Sequence, residues 1–204
     1  MLATIASGVR AAWNDPPVRS MVLLTAAFNF AFTGPISVGL AFLADHRFDG
    51  GSAAFGLLFS AFGGGAVIGA IAAGSIRPRR LGLIVMVIAI VLGIGLALIG
   101  LAPTLLVALA IIGVMGVLIG FINVQAIAWL QSHIAQSLRG IVMSLVTLGS
   151  VGLAPVSLAI AGALVDLGAV TLTFLAAGVI VICAALAGIA WGVPTQMVWP
   201  EEAP

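Results

Sequence analysis

Apolar residues run along this chain in six long blocks, and polar residues gather in the short gaps between them. A hydrocarbon core about 30 Å thick takes about 20 residues of helix. The blocks run from about Met21 to Ala44, Ala53 to Ile76, Leu81 to Leu101, Thr104 to Gln131, Ile141 to Val165, and Ala169 to Val193. They predict helices, because unpaired backbone groups are costly in lipid and no alternating strand pattern is visible. The gaps are Asp45 to Gly51, Arg77-Pro78-Arg79-Arg80, Ala102-Pro103, His133 to Gly140, and Asp166-Leu167-Gly168. Connections this short predict an up-and-down bundle with antiparallel neighbours. The expected fold class is therefore all-α integral membrane, with six transmembrane helices.

The two ends read differently from the blocks. Leu2, Ile5, Val9 and Trp13 recur at helical spacing and stop at Asn14-Asp15-Pro16-Pro17, which fits either a short helix lying in the membrane interface or a frayed tail. No cleavage pattern of a signal peptide follows it. Pro200 to Pro204 reads as a disordered end. The expected organisation is an interfacial segment at 1–18, a six-helix domain at 19–194 and a tail at 195–204.

Charge sets the orientation. All seven basic residues are Arg. With six spans both ends share one side, and Arg10, Arg19, Arg77, Arg79, Arg80 and Arg139 fall there, against Arg47 alone on the other. By the positive-inside rule the termini and the Arg77 to Arg80 loop are cytoplasmic, and Arg77, Arg79, Arg80 and Arg139 fix topology. Trp13, Trp129, Trp191 and Trp199 fall near the same interface, where an amphipathic ring is favoured.

Composition narrows the function classes. Hydrophobic residues make up 63% of the 204 and charged residues 6%, too few to cover a water-facing surface. That excludes a soluble enzyme, a nucleic-acid binder and a disordered chain. One cysteine, Cys183, excludes disulfide frameworks and thiolate metal sites. No metal or cofactor is expected, because His, Cys and carboxylates do not cluster and no phosphate-binding Gly-x-x-x-x-Gly-Lys is present. Gly149-Ser150-Val151-Gly152 is an incomplete nucleophile elbow, and neither His sits deep in a span, so catalysis is not expected.

Within the spans no acid or base lies deep, and the informative groups are neutral. Thr25, Asn29, Thr33 and Ser37 recur every four residues along the first span. Each step of four drifts about 40°, so they fall within an arc of about 120°. Gly34-Pro35 interrupts the same helix and frees a carbonyl. Polar groups and loosened backbone together predict a helix lining a wet cavity, the alternative being that these groups bond to neighbouring helices or backbone and only hold the bundle together. Asn123 on the fourth span is a further cavity candidate, beside a Gly113, Gly116, Gly120 face suited to close helix packing, while Gln125 points elsewhere. Thr147, Ser150 and Ser157 share a narrow arc on the fifth span, and Gly65 and Gly69 form a packing step on the second.

Three stretches carry a family likeness. They are Asp15-Pro16-Pro17-Val18-Arg19; Phe55-Gly56-Leu57-Leu58 through Gly63-Gly64-Gly65 to Arg77-Pro78-Arg79-Arg80; and Leu138-Arg139-Gly140-Ile141-Val142-Met143-Ser144-Leu145 with Pro155 and Gly162. With them the chain resembles the second, six-helix half of a major facilitator superfamily transporter, in the branch of enterobactin-exporter-like and macrolide-efflux-like proteins. The resemblance implies that the first and fourth spans line a central cavity and that a second six-helix half, on a separate chain or a second copy, completes the unit. It also implies a small, partly apolar substrate, alternating access driven by the proton gradient, and a bacterial cytoplasmic membrane. The competing expectation is an accessory membrane subunit that packs against partner helices and transports nothing.

Overall fold

The computed structural model describes residues 13–76, 78–134, 136 and 139–197. Arg10, Arg77, Leu138, Trp199, most of the predicted interfacial segment and the end of the tail lie outside them.

Each apolar block forms a helix or a pair of helices. The first span comprises α1 (Pro16–Gly34), a π-helical turn (Pro35–Gly39) and α2 (Leu40–His46). The second is α3 (Gly51–Ser75), the third α4 (Leu81–Leu101) and the fourth α5 (Leu105–His133). The fifth is split into α6 (Arg139–Val151) and α7 (Ala154–Asp166), and the sixth is α8 (Val170–Ala190). Among the described residues, six stretches are long and apolar enough to cross a membrane. Their outer faces suit hydrocarbon, not water: Leu106 is 77% exposed and Ile71 69%.

Local chemistry explains the boundaries. Pro103 follows the third span, where a helix cannot continue, and the Thr104 hydroxyl accepts from Val107 N–H at 3.4 Å to cap the fourth. Gly192 is left-handed at φ 78° and turns the chain out of α8 into the short helix α9 (Val193–Gln196). The chain then folds back, and Gly82 N–H donates to the Met197 carbonyl at 3.2 Å. Val193 and Met197 are buried, so the start of the predicted tail is packed against the third span.

The spans alternate in direction as expected, but the tightest neighbours are not consecutive. Gly65 and Gly69 of α3 abut the backbone at Gly113 and Val117, while Gly116 and Gly120 of α5 abut that at Phe62 and Ala66. Positions rise together along both helices, so the second and fourth spans pack parallel. The first and fifth also run parallel: Val22 and Ala26 face Gly149, and Gly34 faces Ser157 and Ala161. The third and sixth are antiparallel, Gly93 against Gly178 and Gly100 against Phe174. Consecutive spans are antiparallel as expected, and closer pairings are added across the bundle. Glycine removes the side chain that would hold two backbones apart, and it selects partners across the bundle regardless of loop length.

These pairings carry an internal symmetry. Advancing each span by three exchanges the first–fifth pair with the fourth–second pair and returns the third–sixth pair to itself. The two three-helix units run in opposite directions, which makes them inverted repeats about an axis in the membrane plane.

Candidate functional site

A groove of about 590 Å³ lies between the first and fourth spans, with walls from every other span. That volume falls in the range of small-molecule sites. The first and fourth spans scarcely touch along their length. Their Arg-rich ends are bridged by His133 Nε2 and Asp15 at 3.5 Å, and His133 stacks on Trp129 at 4.6 Å.

Thr25 and Asn29 line the groove from α1 and Asn123 lines it from α5. Asn29 Nδ2 donates to the Thr25 carbonyl at 2.9 Å. Asn123 is exposed and its side chain has no hydrogen bond among the described residues. Thr147 and Ser150 add two hydroxyls from α6, each donating to the carbonyl four residues back at 2.9 and 2.8 Å. Their oxygens retain acceptor capacity toward the groove.

Thr33 and Ser37 do not line it; Thr33 is half-buried and Ser37 exposed. The groove-facing stripe of α1 is Met21, Thr25, Phe28 and Phe32, which alternates steps of four and three. A strict step of four drifts off that face by about 40° each time, so Thr33 has already left it. Ser37 then sits within the π turn, whose extra residue rotates the remainder of the helix by about a further 100°.

The rest of the lining is soft and apolar. Met21, Met86, Met143 and Met197 reach the groove, four of the six methionines. Phe28 and Phe32 stack at 5.2 Å, and Phe32 meets Phe62 of α3 at 5.8 Å. No lining residue is charged. Thioethers adapt to differently shaped apolar ligands, aromatic faces take flat ones, and the amides and hydroxyls orient them. The methionines were the signal overlooked in the sequence, because they are scattered over several elements.

The other singled-out residues serve the framework. Gln125 is buried and donates to the Ala73 carbonyl at 3.1 Å and to that of Ile76, satisfying the end of α3. Arg47 donates to the Gly100 carbonyl at 2.5 Å and to Thr171 Oγ1 at 3.0 Å, tying the first connection to the third and sixth spans. Trp129, expected at the interface, is fully buried in one apolar cluster with Val193 and Met197. Arg79 and Arg80 are exposed at the entry to α4, and Arg139 Nε donates to the Ile134 carbonyl at 3.2 Å. No group of metal-ligating side chains occurs among the described residues.

A sequence model of the Major Facilitator Superfamily matches residues 2–155. The chain belongs to this superfamily of membrane transporters, and its six spans form a multi-pass membrane protein. It is similar to the multidrug efflux pump Tap of Mycobacterium tuberculosis (strain ATCC 25618 / H37Rv), 28% identical over 193 residues that cover 93% of this chain and 45% of that protein. The Tap pump of Mycobacterium bovis (strain BCG / Pasteur 1173P2) matches to the same extent. The chain thus spans about half the length of the curated relatives it matches. No solved structure matches it.

Proposed function

We propose that the chain is the substrate-binding second half of an efflux transporter, acting on small, partly apolar, polyspecific ligands by alternating access. The observation that carries this reading is the groove itself, uncharged, rich in methionine and phenylalanine, and furnished with Asn29 and Asn123 from its two facing spans. Thr25, Asn29 and Asn123 are assigned to substrate, and Thr147 and Ser150 join them. Thr33 and Ser37 are left out of the contact set. The relatives are multidrug efflux pumps, which supports the same class. The chain acts as a transporter rather than an enzyme.

The unit is completed by a second six-span half, a separate chain or a second copy. Open glycines support a surface for it: Gly56, Gly63, Gly64 and Gly74 on α3 and Gly162 on α7 meet nothing within 4 Å. Placement is in a bacterial cytoplasmic membrane with residues 1–18, residues 195–204, Arg77, Arg79, Arg80 and Arg139 on the cytoplasmic side. The accessory-subunit reading draws on the same open glycines, since Gly65, Gly69, Gly116 and Gly120 are used inside the chain, and the groove is what favours transport over it.

The test is binding of a neutral hydrophobic dye, Nile red, to the purified full chain in detergent. Asn29→Leu and Phe28→Ala are expected to weaken binding about tenfold, the loss of an orienting polar group or an aromatic wall. Leu148→Ala, on the outer surface, is expected to leave it unchanged. Equal effects of all three would overturn the assignment. Export of the same dye by cells carrying this chain joined to a related first half, and not by cells carrying the Asn29→Leu form, tests the transport step.

A further inference from the structure

Ser157 is buried on α7, 4% exposed, and its hydroxyl is spliced into a different helix. Gly34 N–H donates to Ser157 Oγ at 2.9 Å, and Ser157 O–H donates to the Phe30 carbonyl at 2.5 Å. In an uninterrupted α-helix the Gly34 N–H would donate to Phe30 directly. The serine takes the place of that rung. The next rung is missing too, because Pro35 has no N–H to offer Ala31. The helix continues through a π turn in which Leu40 N–H reaches the Pro35 carbonyl, five residues back. A side chain inserted into the ladder is a recognised cause of a sharp bend.

The two sides of this break share α7 and α8 as neighbours but differ in what else they hold. Residues 35–46 pack into the outer core, Gly39 against Phe174, and are followed by the Arg47 tie to Gly100 and Thr171. The inner piece carries Thr25, Phe28 and Asn29 into the groove and packs against α6. The fifth span is interrupted too, between Val151 and Ala154, just before Ser157.

We infer that Ser157 is a positioning residue: its bridge holds the first span bent at Gly34-Pro35 and couples α7 to that bend. Ser157 touches no ligand and acts through the backbone of the first span. The contribution to transport rests on the groove reading above, whereas the bend does not.

The test uses the full chain in lipid nanodiscs, carrying Cys183→Ser with spin labels at Asp45→Cys and Leu148→Cys, both exposed positions. Pulsed electron resonance reads the distance between the outer end of the first span and the inner piece of the fifth. The unsubstituted chain and Ser157→Thr, which keeps the hydroxyl, are expected to give one narrow distance population. Ser157→Ala is expected to raise a second population about fivefold, the shift that losing one buried hydrogen-bonded bridge produces. Ser157→Val, isosteric with the threonine form, should repeat the shift without leaving a cavity. Pro35→Ala, which keeps the bridge, should retain the original population. An unchanged distribution in both the alanine and valine forms would sink the inference, as would a shift in Pro35→Ala alone. No ligand is needed, so failure here is distinct from failure of dye binding.

Discussion

The second and fourth spans occupy the same place on one side of the internal two-fold as the fifth and first occupy on the other. Yet the two parallel pairs are built differently. In α3 and α5 glycines set backbone on backbone along continuous helices, and a Cβ at Gly65, Gly69, Gly116 or Gly120 would collide with main-chain atoms. In the first and fifth spans both partners are interrupted, and a serine hydroxyl joins them where helix hydrogen bonds are missing. Close packing without side chains leaves little to rearrange. Bridged breaks leave two rungs that can be exchanged. One equivalent pair of helices is therefore closely packed and continuous, and the other is interrupted and bridged.

The contrast can be broken most severely at Gly69. Gly69→Leu drives a side chain into the backbone at Val117 and Phe121 and is expected to cost about 3 kcal/mol or more, seen as loss of monodisperse protein on size exclusion. Gly64→Leu, on the open side of the same helix, should stay within about 0.5 kcal/mol. Similar losses from both would deny that the close face is what makes this pair rigid. Gln125→Leu should cost about 1–3 kcal/mol in thermal unfolding, because the buried carbonyls of Ala73 and Ile76 lose their donor. Arg47→Ala is expected to cost about 1–2 kcal/mol and to speed hydrogen exchange at the outer ends of the third and sixth spans. The smallest effect belongs to His133→Ala, whose bridge to Asp15 is one-third exposed on both sides, at under about 0.5 kcal/mol. A large loss there would mean that this bridge locks together the ends of the two groove helices.

Much of the site was legible in part. Thr25, Asn29 and Asn123 stand out because neutral polar groups are sparse in apolar blocks, and all three reach the groove. Thr33 and Ser37 belonged to the same stripe and do not, since a step of four residues is not the helical period. Gly34-Pro35 announced an interruption. That Ser157 completes it was not legible, because its partners are more than 120 positions away.

Six spans, their alternation and the Arg asymmetry follow from the chain alone, because insertion into hydrocarbon is decided segment by segment, from the length and apolarity of each helix. Which helices touch, which face turns to the groove and which hydroxyl enters a neighbour's backbone were decided by the tertiary structure. Those choices depend on close-range fit between segments far apart in the chain, and a similarly apolar sequence could pack in several ways until glycine and serine select one.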